Sequence, residues 1–302
     1  MTENTNFDVI IIGGSYAGLS AAMSLGRALR QVLVIDSGKP CNKRTPYSHN
    51  FITHDGKTPY QIAHEAKEQV LKYNSVTFHG GIAISGVKTE KGFEIKTESG
   101  QVFQAKKLIF ATGMKDIMPT MQGFAECWGI SILHCPYCHG YEIKYEKTGI
   151  LGNGDYGYEF SKMIANWTKY LTLFTNGKST LTEEQTTKLV EHNIRIIERE
   201  IISIKHENGK INTINFNDDS QETVTAIYAK PQMLQHCDIP KQLGCEITEQ
   251  NFVTVDMFQK TTVYGIFACG DNVTPVRSVA MAVANGSIAG AMSNKEIIED
   301  EF

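Results

Sequence analysis

"DVIIIGGSYAGLSAAMSLGRALRQVLVID", residues 8–36, decides the fold. A short apolar run meets a glycine-rich turn, and apolar residues then recur at helical spacing. A second apolar run, "VLVID", ends at Asp36, 18 residues after Gly18. Strand, tight turn, helix and strand in this order are the layout of a dinucleotide-binding unit. Gly13 permits the tight turn, and Gly18 lets helix and strand approach. The helix N-terminus offers N–H groups to a pyrophosphate, and Asp36 can accept from a ribose hydroxyl. Gly14, Ser15 and Ala17 complete the turn, with Ser15 standing where G-x-G-x-x-G has its middle glycine. Taken alone, the stretch also fits an ordinary glycine-rich turn in an α/β sheet.

The pattern recurs at residues 149–168, "GILGNGDYGYEFSKMIANWT", where Gly152, Gly154 and Gly157 complete the fingerprint. Its second strand, "YLTLFTNGK", ends in neither an acid nor a pair of arginines. That turn either holds a second dinucleotide or keeps the fold with a weak nicotinamide site. Between the units, "KKLIFATG" reads as a strand ending at Ala111, Thr112 and Gly113. Late in the chain "GIFACGDN" runs into Gly270 and Asp271, ahead of a helix rich in small residues. Asp271 beside that helix could accept from a polyol hydroxyl. Together these strand ends point to one long cofactor whose site is assembled from both ends of the chain.

At 302 residues the chain predicts two domains. A net charge of -4 gives no basic excess, so nucleic acid is not expected as a partner. No apolar stretch reaches the roughly 20 residues of a membrane helix. The start, "MTENTNFDVIIIGG", lacks a basic leader, and a cytoplasmic location is expected. "KGFEIKTESGQVFQ" and "SIKHENGKINTINFNDDSQETVTAIYA" read as hairpins, and "PYQIAHEAKEQVLKY" as a helix opened by Pro59.

"LHCPYCHGYE", residues 133–142, carries the chemistry. C-x-x-C-H fits a redox dithiol, half a zinc site or a c-type haem attachment. Haem attachment goes with export, which nothing here signals. Structural zinc needs four ligands, and the other cysteines (Cys41, Cys127, Cys237, Cys245, Cys269) are scattered. A redox pair of Cys135 and Cys138 is therefore expected and no metal, with structural zinc or inert thiols as alternatives. Two cysteines separated by Pro136 and Tyr137 close a very short ring, which stabilises little and suits exchange chemistry. His139, expected to titrate near neutrality, could hold a thiolate and move a proton, or could be structural. His134, His49 and His54 read as neighbours or structural residues.

With these pieces in place, the sequence resembles the thioredoxin reductase-like flavoproteins over essentially its full length. Fingerprint, "ATG" strand, dithiol, second fingerprint and "GIFACGDN" follow in the order of the low-molecular-weight thioredoxin reductases. "FAECWGISILHCPYCHGYE" and "PYSHNFITHDG" resemble a branch that includes dithiol oxidases of disulfide natural products. The resemblance implies an α/β fold of two Rossmann-like domains, the second inserted into the first. Residues 1–116 and 230–302 would bind FAD, and 117–229 would form the NAD(P)-type domain with the dithiol. It implies that Cys138 faces the flavin, that Cys135 attacks the substrate, and that Asn50, Arg277, Ser278 and Val279 touch the flavin. Electrons would pass from NAD(P)H through FAD to the dithiol and on to a thioredoxin-like protein or a small disulfide, in a homodimer. The alternatives are an oxygen-using dithiol oxidase, a ferredoxin-dependent reductase, and a binding or redox-sensing flavoprotein with no turnover. Three departures stand out. His139 replaces the usual Asp, the arginine motif for the NADPH 2′-phosphate is missing around Asn176 and Lys178, and Ser278 replaces a Gln.

Overall fold

The protein was analysed as a computed structural model that describes residues 5–302; residues 1–4, at the head of the stretch read for a leader, lie outside the described residues. The chain divides into two compact units. Unit 1 holds the described residues through Lys43, then Pro59–Lys115 and Met233–Phe302; unit 2 holds Arg44–Thr58 and Asp116–Gln232. The expected division ran at 116/117 and 229/230, with 44–58 in the FAD-binding part.

Unit 1 opens with strand, helix and strand: β1 (Asn6–Ile12), α1 (Tyr16–Arg27) and β2 (Val32–Asp36). There follow α2 (Pro59–Val70), β3 (Val76–Gly80), β4 (Ala83–Thr89), β5 (Gly92–Thr97) and β6 (Val102–Phe110). The runs of β1 and β2 are almost wholly apolar because parallel strands covered on both faces have no solvent side; Val9–Ile12 and Val32–Ile35 are buried. Pro59 opens α2 where a missing N–H costs nothing.

β7 (Met114–Ile117) leads into unit 2, which contains α3 (Phe124–Cys127), β8 (Ile132–Leu133), α4 (Pro136–His139), β9 (Thr148–Leu151), α5 (Gly154–Ile164) and β10 (Leu171–Phe174). It continues with α6 (Glu183–Glu191), β11 (Arg195–Ile197), β12 (Ile201–Glu207), β13 (Lys210–Phe216), β14 (Gln221–Glu222) and β15 (Ala226–Ala229). The β12–β13 hairpin turns at Asn208 and Gly209, both with positive φ, as a tight two-residue turn requires. The chain returns through β16 (Gln232–Gln235) and ends with α7 (Ile239–Gln242), β17 (Ile266–Ala268) and α8 (Val279–Glu301).

The sheet of unit 1 runs β3-β2-β1-β6-β5-β4, with β17 pairing the carboxyl half of β6. β3, β2, β1, β6 and β17 are parallel, and β4 and β5 form the antiparallel edge. Unit 2 is built on a parallel sheet, β11-β10-β9-β15-β8. This is the expected α/β class, with two Rossmann-like units and the second carried between segments of the first.

The small residues of α8 let it lie against α1: a Cβ on Gly286 would stand 2.1 Å from the Ala17 carbonyl oxygen. The same helix carries a buried charge cluster. Lys107 of β6 is 2% exposed and pairs with Glu296 at 2.8 Å and Asp300 at 2.7 Å. Those carboxylates hold the Lys107 ammonium charged against the desolvation that opposes it. Removing one partner of a buried pair leaves the other uncompensated. Lys107→Met should therefore lower the unfolding free energy by about 3–5 kcal/mol. A urea titration indistinguishable from wild type would contradict this.

Candidate active site

The first cluster of site residues gathers at the carboxyl ends of the parallel strands of unit 1. After β1, Gly13 takes φ +104°, and a Cβ there would stand 2.2 Å from the Ala111 carbonyl oxygen at the end of β6. Gly18 is as tightly placed, since its Cβ would meet the Gly13 oxygen at 1.8 Å. Asp36, ending β2, accepts the Gly14 N–H at 3.0 Å and the Gly38 N–H at 3.2 Å. Ser15 is the N-cap of α1, makes no side-chain capping bond, and is followed by no acid in the first turn. Ala17 packs behind it, near Gly270, which has φ +87°. Thr112 and Gly113 follow β6, with Gly113 at φ +64°. Asp271 follows β17, but its carboxylate meets the Arg277 guanidinium at 3.1 Å. Ser278 caps α8 by accepting the Met281 N–H, and Val279 is the first residue of that helix. Sequence reasoning missed Asn272. It is wholly buried, donates to the Phe110 carbonyl at 2.9 Å, and keeps an unpartnered amide oxygen.

The second cluster belongs to unit 2. β8 ends at Leu133, and Cys135 caps the single turn of α4, which carries Cys138 and His139. Neither cysteine is in a disulfide, and both are partly buried. Pro136 stands at the first position of α4. The Cys138 side chain hydrogen-bonds the Cys135 sulfur, and the backbone N–H groups of Tyr137 and Cys138 lie near it, the latter donating to the Cys135 carbonyl at 3.3 Å. These bonds outweigh desolvation and bring the Cys135 thiol down to about 7. The donors that zinc would need are not grouped: among the described residues no three His, Cys, Asp or Glu side chains stand close enough to share an ion.

His139 departs from expectation. Burial, with His49 close by, pushes it down to about 4, so at neutral pH it is an uncharged imidazole rather than one poised near neutrality. His49 and Asn50 come from the stretch 44–58, which packs within unit 2. Arg44 donates to the Ala125 carbonyl, and Ser48 bridges Lys57. His49 lies 3.5 Å from Asp55 and 3.5 Å from Glu142. Asn50 has φ +60° and donates its N–H to Asp55 at 2.7 Å. Nothing local in the chain joins His49 to the dithiol, because the two are far apart in sequence and linked only by packing.

The second glycine turn is closed by its own side chains. Asn153 accepts from Gly154 N–H at 2.9 Å and from Thr180 N–H at 2.8 Å, and donates to the Lys178 carbonyl at 2.9 Å. A Cβ on Gly152 would touch the Tyr156 ring at 2.7 Å, and Gly157 packs on Gly152. Glu198, arriving from the end of β11, accepts the Ser179 N–H at 3.0 Å. An acid thus reaches the loop that lacks arginine.

Two dinucleotide units, one bearing a Cys-x-x-Cys pair in the turn after a parallel strand, define a thiol–disulphide oxidoreductase of the two-Rossmann class. The chain belongs to the pyridine nucleotide-disulphide oxidoreductase family, whose model matches residues 7–286. It is similar to the thioredoxin reductase tcpT of Claviceps purpurea, with 32% identity over 99% of this chain and 97% of that one. The thioredoxin reductase sirT of Leptosphaeria maculans is 30% identical over 95% of this chain and 93% of its own. Among solved structures, an oxidoreductase from Agrobacterium tumefaciens aligns with a TM-score of 0.92 and 34% identity, covering 97% of this chain and 99% of that one. The protein is an FAD-dependent oxidoreductase with thioredoxin reductase-like architecture. No helix among the described residues is long and apolar enough to cross a membrane.

The residues of unit 1 fit FAD. The helix start without a side-chain cap or acid suits a pyrophosphate, the glycines clear the approach, and Asp36 stands at the end of β2. The buried Asn272 oxygen has a lone pair that no protein group uses.

Because Cys135 titrates near 7, iodoacetamide should alkylate it with a rate that rises through about pH 7 rather than about pH 9. His139→Ala should leave that midpoint in place, since an uncharged imidazole lends no charge to the sulfur. A rise of about one pH unit in that variant would show that His139 is a cation after all.

Proposed function

We propose that Cys135 and Cys138 are the exchanging pair and that the physiological reaction is reduction of a protein or small-molecule disulfide. The observation that carries this reading is the placement of the two cysteines, with Cys135 capping the single turn of α4 and Cys138 standing within it, both partly buried. A Cys135 thiolate attacks one sulfur of the substrate disulfide and displaces the other as a thiolate, which takes up a proton. Cys138 loses its proton and attacks the Cys135 sulfur of the mixed disulfide. The second substrate sulfur leaves as a thiol, and Cys135 and Cys138 are left as a disulfide. His139, uncharged at neutral pH, has a lone pair that can accept the Cys138 proton; its weak basicity means that it passes the proton on. FAD, when bound, supplies the two-electron couple that returns the pair to the dithiol.

In this reading, residues 1–116 and 230–302 bind FAD through Gly13, Gly14, Ser15, Ala17, Gly18, Asp36, Ala111, Thr112, Gly113, Gly270, Asp271, Arg277, Ser278 and Val279, with Asn50 as a further contact. Residues 117–229, with Gly152, Gly154 and Gly157, form the nicotinamide domain. The partner is a thioredoxin-like protein or a small disulfide, the enzyme is a homodimer, and it works in the cytoplasm. A second reading is favoured by the closed turn at Asn153 and by Glu198. There the same pair is oxidised from the dithiol and the electrons end on oxygen, or ferredoxin replaces the nicotinamide. Anaerobic mixing with NADH or NADPH separates these readings: rapid flavin bleaching supports the first, and none with either supports the second.

Cys135→Ser and Cys138→Ser should each abolish disulfide turnover while keeping bound FAD, since both cysteines belong to unit 2 and the cofactor residues cluster in unit 1. Unchanged turnover in both would leave the dithiol a structural turn. NADPH should not be preferred over NADH by more than a hundredfold. Its 2′-phosphate is held by arginine forks worth about 1.5–3 kcal/mol per contact, and the loop offers one lysine with Glu198 beside it. Comparing the two donors in flavin reduction checks this, and a larger NADPH preference contradicts it.

A further inference from the structure

We propose that Glu198 makes the second dinucleotide unit selective for a nicotinamide dinucleotide with a free 2′-hydroxyl, NADH, and against the 2′-phosphate of NADPH. The inference rests on the reading of residues 117–229 as the nicotinamide domain and names the donor which that domain takes.

The two units of this chain supply the comparison. In unit 1, Asp36 stands 18 residues after Gly18 and its carboxylate accepts the N–H groups of Gly14 and Gly38. An acid in that place is the usual partner of a ribose 2′-hydroxyl. The same interval from Gly157 ends at Thr175, just past β10. Thr175 is buried, and its hydroxyl is used within the fold, on the carbonyls of Gly177 at 2.6 Å and Ile197 at 3.3 Å. The acid arrives instead from the neighbouring strand. β11 runs parallel to β10 with Ile197 opposite Phe174, so Glu198 emerges beside Thr175. Its Oε2 accepts the Ser179 N–H at 3.0 Å, and its carbonyl accepts the Gly177 N–H at 2.9 Å. Glu198 is thereby fixed against the loop by two bonds.

A phosphate on this loop would need N–H donors or a cation. The donors are taken. Gly177 and Ser179 give theirs to Glu198, and Thr180 gives its N–H to Asn153 at 2.8 Å. The Asn176 side chain is held on β12, where its oxygen accepts the Ile201 N–H at 2.7 Å. Lys178 is the one cation of residues 175–180, and its carbonyl accepts from Asn153 at 2.9 Å. Asp155, in the first turn of α5, is a further acid at the head of the helix. A hydroxyl meets the opposite conditions. Glu198 is exposed and pairs with no cation among the described residues, and its Oε1 keeps its lone pairs. A Cβ on Gly177 would meet nothing within 4 Å, so the approach is open. A 2′-hydroxyl can donate to that carboxylate, whereas a 2′-phosphate meets a like charge and finds its donors occupied.

The test is calorimetric titration of the oxidised, FAD-loaded enzyme with NAD+ and with NADP+, which reads binding without electron transfer. The unaltered enzyme should bind NAD+ about tenfold or more tightly than NADP+, the scale of one like-charge contact facing solvent. Glu198→Gln keeps an acceptor for the Ser179 N–H and removes the charge. It should bind NADP+ about tenfold more tightly than the unaltered enzyme does and leave NAD+ binding within about threefold. Raising the salt concentration should narrow the preference of the unaltered enzyme. Equal affinities, or tighter NADP+ binding, in the unaltered enzyme overturn the inference alone. So does a preference for NAD+ that survives intact in Glu198→Gln. Binding of neither nucleotide overturns the inference together with the nicotinamide reading of the domain, while the dithiol chemistry stands or falls by the serine variants.

Discussion

Parallel strands can be joined only by crossovers that return over a face of the sheet, so the loops that leave their carboxyl ends all gather along one edge. Both units obey this constraint, and the site residues follow from it. In unit 1, β1, β2, β6 and β17 deliver the Gly13 turn, Asp36, Ala111 and Gly270 to the same edge. In unit 2, β9, β15 and β8 are neighbours and deliver the second glycine turn, Tyr228 and the dithiol. One strand separates the dithiol from the glycine turn, which at ordinary strand spacing is roughly 10 Å.

On that edge the chemistry is set by a contest between burial and hydrogen bonding. Burial disfavours every charged form, and the cysteines without strong donors show the result: Cys237 is pushed up to about 11 and Cys269 to about 12. Cys135 is also partly buried but goes the other way, because the Cys138 side chain and nearby backbone N–H groups favour its anion. His139 has no comparable compensation and loses its charge. The Cys-x-x-Cys spacing makes the difference, since it bends the second thiol back onto the first within one helical turn.

Much of this was legible in the sequence because it is local. The turn at Gly13, the acid at Asp36, the hairpin at Asn208 and the Cys-x-x-Cys pair each depend on residues near in the chain. The double fingerprint also foretold the α/β architecture. What the sequence could not display arises from packing between distant segments. The stretch 44–58 lies with unit 2, which brings His49 to the dithiol. Glu198 reaches the nucleotide loop from the end of β11. His139 misled for the same reason, since its ordinary titration range holds in water and not where burial and a neighbouring histidine oppose its charge.

FAD and the Cys135–Cys138 pair should form one redox system. An anaerobic dithionite titration of the purified FAD-loaded protein tests it most directly. The disulfide is itself a two-electron couple and must fill alongside the two electrons of the flavin. Full reduction should consume about four electrons per chain, and about two when either cysteine is replaced by serine. Uptake of only about two electrons by the unaltered protein would contradict it.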